Sequence, residues 1–232
     1  MRQKEQETAF SRAVTRYTRP TAGKMTLSKG VFFYMFGGGL GTLWEVIFNV
    51  FFQIANDRTI RYIDCRGSLF TFFNPVYGCG ALVIALFLHK YRRPWQVFTV
   101  GAIAGGAVEY FLSYCEETLL GTRSWNYDDW FLNINGRTTV PIMIVWGILC
   151  MAVIFLLYRP LDTFFEGLPA RAFRIIGICC FAALCIDMFF TVSALWRYVA
   201  RDSEPLTAFG RWLDTVFPDA FMRKRFPSMK IQ

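Results

Sequence analysis

VEYFLSYCEETLLGTRSWNYDDWFLNINGR, residues 108–137, starts as the second half of an apolar helix and ends as a loop rich in Trp, Asn, Asp and Arg. Three carboxylates stand at the change-over. At about 100° per residue, Glu109 and Glu116 fall within roughly 20° of each other on the helix and Glu117 about 80° from Glu109. All three therefore point broadly the same way, at two depths.

Working outward, the composition sets the environment of this stretch. Of 232 residues, 54% are hydrophobic and 18% aromatic, 25 of them Phe, a balance unlike that of a soluble domain. Five apolar runs, at residues 30–52, 68–88, 95–120, 139–158 and 175–196, each have the length a hydrocarbon core requires of a helix, about 17 to 25 residues. None contains Lys or Arg. The expected fold is all-α: one polytopic bundle of five transmembrane helices with amphipathic N- and C-terminal segments. It divides into a basic cytoplasmic arm (1–29), a membrane domain (30–196) and an amphipathic tail (197–232). No short apolar run with a small-residue cleavage site precedes the first span, so that span is expected to direct insertion.

The net charge of +8 sits in the tails and short loops. That placement suits membrane orientation and lipid phosphates rather than nucleic acid. The first-span bias puts the N-terminus in the cytoplasm of a multi-pass cell-membrane protein. Residues 6–17 alternate Ala9, Phe10, Ala13, Val14 and Tyr17 with Arg12 and Arg16, a pattern of either a surface helix or a disordered basic arm. The seven cysteines contain no C-x-x-C pair and there is one His, so no metal site and no cofactor is expected.

Within the spans, small residues and carboxylates carry the information. Gly37 and Gly41 in span one, and Gly101, Gly105 and Gly106 in span three, form seams that let a second helix come close, within the chain or in a homodimer. Glu45 lies about 10 Å inside the end of span one, Glu109 near the middle of span three and Asp187 near the middle of span five. Buried carboxylates without a cation in any span must be protonated, hydrogen-bonded to groups such as Tyr110, Trp44 or free backbone, or balanced by a ligand. Asn74-Pro75 interrupts the start of span two, because Pro removes a backbone donor and disfavours helix at the residue before it. The tail stretch 203–217 reads as an interfacial helix with Ser203 as cap and an apolar face of Leu206, Phe209, Leu213, Val216 and Phe217.

An odd span count brings the ends of spans one, three and five to one side. Glu45, Asp64, Arg66, Asn74, Glu109, Glu116, Glu117, Arg123, Asn135 and Arg137 are then expected on one leaflet, lining a polar vestibule that narrows to mid-membrane carboxylates. At least one of Arg123 and Arg137 should pair with Glu116 or Glu117, since the guanidinium offers a planar fork to a carboxylate. Lipid phosphate is the competing partner for Arg137.

A set of spaced residues also resembles the ABC-transporter type IV permease family of bacterial integral membrane proteins. It comprises Glu45, Arg66-Gly67, Pro75-x-Tyr77-Gly78-x-Gly80, Glu109-Tyr110, Glu117, Arg123, Trp125, Tyr127, Asn133-x-Asn135-Gly136-Arg137 and Trp146-Gly147, with the tail PDAFMRKRFPSMK. The resemblance implies a multi-pass membrane fold and a transport role. It departs at the spaced Gly41 and Trp44, and at Asn126 where an acidic residue is usual. The binding or pathway residues it singles out with the reading above are Glu45, Arg66, Asn74, Tyr77, Glu109, Glu117, Arg123, Trp125, Asn135, Arg137 and Asp187.

Three function classes fit: a permease subunit, a lipid-interface enzyme, and a non-catalytic assembly partner. No G-x-x-x-x-G-K-[ST] loop is present, so ATP use calls for a separate ATPase subunit. Glu116-Glu117 looks like the paired glutamates of membrane-embedded CAAX-type proteases. Arg123, however, lies too far along, and His89 is at the opposite side. No catalytic residues are assigned, and the permease reading is preferred.

Overall fold

The computed structural model describes residues 25–56, 60 and 62–231; the basic-arm pattern at residues 6–17 lies outside them. The long helices are α1 (Leu27–Asn56), α3 (Pro94–Leu120) and α6 (Ala170–Val199). Between the last two, α4 (Val140–Ala152) runs through a π-helical stretch, Val153–Tyr158, into α5 (Arg159–Glu166). Among the described residues, four helices are thus long and apolar enough to cross a membrane: Leu27–Ala55, Pro94–Leu120, Val140–Glu166 and Ala170–Val199. The chain is a helical membrane protein.

The expected second span is shorter than its apolar run. Helix α2 (Pro75–Val83) with its π-helical end, Ile84–Leu88, forms an apolar helix of Pro75–Leu88 only. Asn74 is extended (φ −70°, ψ 121°) and caps α2 by accepting from the Val76 N–H, while Pro75 opens the first turn, where its missing N–H costs nothing. Residues 68–74 are non-helical.

Backbone that leaves a helix inside hydrocarbon must find protein partners, and this segment finds them on α6 and α1. Asp187 of α6 accepts from the N–H groups of Phe70 (3.0 Å) and Thr71 (2.9 Å). Thr191, one turn on, accepts from Leu69 N–H at 2.9 Å. From α1, the Thr42 hydroxyl donates to the Phe72 carbonyl, and the Gly38 carbonyl accepts from Asn74 N–H.

Gly37 and Gly41 allow this approach. A Cβ on Gly37 would strike Ala81, and one on Gly41 would strike Tyr77. In α3, Gly101 faces Cys150, Gly105 faces Trp146 and Gly106 faces Met143, all of α4. The glycine seams, expected to let a second helix come close within the chain or in a homodimer, are occupied here by helices of the same chain. Small residues let two backbones approach, and here the partner helix comes from the same molecule.

The other boundaries follow local chemistry. Gly121, at φ +65°, stops α3 in the left-handed conformation and returns its N–H to Glu117. Lys29, in the first turn of α1, is buried against Asp162 (2.6 Å) and Glu166 (3.1 Å) of α5, which tethers the two elements. An aromatic core of Phe33, Tyr158, Phe165 and Phe173 packs beside it.

In the tail, α7 (Ala208–Val216) starts later than expected because Thr207, not Ser203, is its cap and accepts from Gly210 N–H. Leu213 and Phe217 are buried against α6, whereas Leu206, Phe209 and Val216 of the expected single face are exposed. Helix α8 (Asp219–Arg225) then leads to a two-residue strand, Lys230–Ile231, paired antiparallel with Thr122–Arg123 just past α3.

Candidate functional site

Glu109 projects from the middle of α3 and is 6% exposed. Its two oxygens accept hydroxyls from the loop above: Tyr127 Oη at 3.0 Å and Thr138 Oγ1 at 2.7 Å. Tyr110 and Trp44 are not its partners; Tyr110 accepts from Asn135 Nδ2 at 2.9 Å, and Trp44 stacks on Phe48.

The loop holds Tyr127 in place by its own hydrogen bonds. Residues 133–139 form a tight hairpin in which Asn133 pairs with Thr139 and Ile134 with Thr138. The turn uses Asn135 (φ 52°) and Gly136 (φ 65°); a Cβ on Gly136 would strike Asp128, so only glycine fits. The Gly136 carbonyl accepts from Tyr127 N–H at 2.8 Å, and Trp125 Nε1 donates to the Arg137 carbonyl at 2.9 Å. Burial, then the neighbouring Glu109 carboxylate, push the Tyr127 phenol up, so that it stays a donor.

On the far side of Glu109 stand Trp146 of α4 and Tyr77 of α2, whose rings lie 5.4 Å apart. Tyr77 Oη donates to Glu45 Oε1 of α1 at 2.6 Å. Glu45, Tyr77, Glu109, Tyr127 and Thr138 thus form one group drawn from three helices and the loop. The side-chain donors to the two carboxylates are neutral, the hydroxyls of Tyr77, Tyr127 and Thr138 and the Trp146 indole.

A second group sits at the loop face. Glu117 Oε2 receives Arg123 Nε (2.8 Å) and Arg137 Nη2 (2.6 Å), so both arginines meet the expected carboxylate. The Arg137 guanidinium also covers the rings of Tyr110 and Tyr114, at 5.5 and 5.6 Å. Glu116 turns away and accepts from Thr122 Oγ1 (3.0 Å) and Ser124 Oγ (2.8 Å). Between the two depths, Ser113 is 1% exposed and its hydroxyl has no hydrogen-bond partner.

Asp187, Arg66 and Asn74 belong elsewhere. Asp187 and Asn74 hold the non-helical segment described above. Arg66 pairs with Asp64 (2.6 Å), which also receives Arg225 of α8 at 2.7 Å. Burial would raise Asp64, but the hydrogen bonds from Arg66 and Arg225 hold it below the usual carboxylate range. Arg225 is 5% exposed and also donates to the Leu69 carbonyl. The residues expected to line one vestibule are therefore divided between a carboxylate–hydroxyl group, a loop-face ion group and a structural tether.

Thr138, Ser113, Thr122 and Ser124 carry no signal in the sequence pattern, being common residue types. Their hydroxyls become informative only when the helix and loop are folded together. In this conformation the approach to Glu109 is filled by Tyr127 and Thr138. Among the described residues, no three His, Cys, Asp or Glu side chains are grouped to hold a metal ion.

No curated protein and no solved structure matches the chain. Residues 32–192, which run from α1 to the Thr191 turn of α6 and include every member of the carboxylate–hydroxyl group, match the model of the family described as "Putative ABC-transporter type IV", and the chain belongs to that family.

Proposed function

We propose that this chain is the membrane-embedded permease subunit of a transporter, moving a small solute past Glu109 with ATP hydrolysed by a separate chain. Family membership supports the transporter class. With no phosphate-binding loop among these residues, ATP hydrolysis on this reading falls to a separate subunit. The observation that carries the reading is Glu109 itself: a carboxylate at mid-span, buried, and met by neutral donors, the hydroxyls of Tyr127 and Thr138 and the Trp146 indole. A carboxylate kept only as helix glue works equally well as an amide, whereas one that exchanges a cation or proton does not.

On this reading the protein crosses the cell membrane five times. The Pro75–Leu88 helix and the extended residues before it complete the second crossing, and the N-terminus is cytoplasmic. The vestibule opens when the loop between α3 and α4 lifts Tyr127 and Thr138 away from Glu109. Glu117 with Arg123 and Arg137 pins that loop shut.

Glu109→Gln keeps size and hydrogen bonding while removing the charge. The expected result, in a complementation or vesicle-uptake assay of cells lacking the chain, is normal membrane abundance with transport lost. Unchanged transport in that variant would refute the proposal.

A further inference from the structure

On α3 the side chains of Glu109, Ser113 and Glu116 share one stripe. At about 100° per residue Ser113 lies roughly 40° to one side of Glu109 and Glu116 about 20° to the other. Positions three and four apart on a helix have Cβ atoms about 5–6 Å from each other, so each glutamate reaches the serine by a change of rotamer. Ser113 is buried with its hydroxyl unpartnered. A buried hydroxyl is normally satisfied, and one left open between two carboxylates marks a place where a hydrogen bond is made part of the time.

We propose that Glu109, Ser113 and Glu116 form a half-path carrying protons between the loop face and the middle of the membrane. This rests on reading Glu109 as a pathway carboxylate, and it names the coupling ion. A proton on Glu116 passes to the Ser113 oxygen while Ser113 gives its own hydrogen to a Glu109 oxygen. Glu116 is left as carboxylate, Glu109 as neutral acid, and rotation of the hydroxyl resets the link. Glu109 accepts from Tyr127, Thr138 and Trp146, three of the about four acceptor sites of a carboxylate, which leaves one for the serine.

A proton fits this stripe better than a hydrated cation. Ser113, Thr122 and Thr138 are 1%, 0% and 2% exposed, so the walls are closed to anything with a water shell. The outer end meets water at the loop: Thr122 and Ser124 hold Glu116, and beside it Glu117 is held by Arg123 and Arg137. At the inner end Glu109 faces Tyr127, Thr138, Trp146 and, further across, Glu45 with Tyr77. Beyond Trp146 the lining turns apolar, with Val83, Ile84, Leu88 and Cys150. Access is from one side only.

The test is hydrogen–deuterium exchange of the Glu109 acid, followed by infrared spectroscopy of the full-length protein in phosphatidylcholine liposomes at mildly acidic pH. Glu109→Gln identifies the carboxylic-acid carbonyl band by removing it. Relay through a positioned side chain contributes about a hundredfold or more, so Ser113→Ala is expected to slow exchange of that band by about 100-fold. Ser113→Thr restores it, and Glu116→Gln slows it again. A misfolded variant exchanges faster, the opposite direction. An Ala variant that exchanges at the wild-type rate, or a Glu109→Gln spectrum that loses no acid band, overturns the proposal. The readout needs neither solute nor ATPase, so failure of solute transport leaves it standing, and its failure leaves the transport assay standing.

Discussion

Replacing Asp187 by Ala would remove the carboxylate on the non-helical segment's N–H groups, and the structure sets the size of the effect. Two backbone donors, Phe70 N–H and Thr71 N–H, lose their acceptor at a residue 3% exposed. Each buried donor left unpaired costs about 1–3 kcal/mol, hence about 2–6 kcal/mol for the pair. For a chain of this size each kcal/mol moves the unfolding midpoint by about 2–4 °C, so a fall on the order of 10 °C is expected. Asp187→Asn retains one oxygen but sets its amide N–H against a backbone N–H, and about half the loss should remain. The assay is thermal unfolding in detergent by tryptophan fluorescence, with thiol labelling of Cys65 as a local probe, since Asn74 Nδ2 donates to the Cys65 carbonyl. A pathway carboxylate would behave otherwise, losing transport with its stability intact. An Ala variant melting within about 2 °C of wild type would refute the tether.

Two further outcomes are expected. Arg137→Lys keeps the charge but loses both the geometry toward Glu117 and the cover over Tyr110 and Tyr114; at about 1 kcal/mol for a partly exposed pair, chymotrypsin cleavage near exposed Trp130 and Phe131 should rise roughly fivefold, and an unchanged rate would count against the loop's being pinned there. Asp64 is held below its ordinary range in the fold, so its contribution is present above the unfolded value and lost as pH falls through the folded one; release of the tail from Asp64, read by protease sensitivity of residues 219–232, is expected only below about pH 4, and Asp64→Asn should show it already at neutral pH.

Four of the five expected spans were legible because an apolar helix in lipid satisfies its own backbone, so composition and length suffice to find it. Asn74-Pro75 announced the break in the second run. Its extent was not legible, since it depends on acceptors about 116 residues away on α6. Asp187 illustrates the limit: its position in a span marked it as purposeful, but its partners are main-chain N–H groups, which every residue but proline possesses, beside common hydroxyls such as Thr191, and neither leaves a trace in side-chain pattern. Glu117 was easier, because its partners are arginines in the adjoining loop. Lys29 stood just outside the expected first span, so its pairing with Asp162, 133 residues on, had no local signal. The hydroxyls of Thr138 and Ser113 are common residue types, and only burial gave them meaning.

The non-helical segment also imposes an order on biosynthesis. The Pro75–Leu88 helix is too short to cross by itself, and the Phe70 and Thr71 N–H groups before it lack their acceptor until Asp187 has been made. At a synthesis rate of about 5–20 residues per second, the 116 residues between Thr71 and Asp187 represent roughly 6–23 s during which that backbone must remain at the water interface or in the care of the insertion machinery. Arg225, which seals the Leu69 carbonyl, emerges later still. This segment is therefore among the last parts of the fold to be completed in time, and the C-terminal tail serves as its closing stitch.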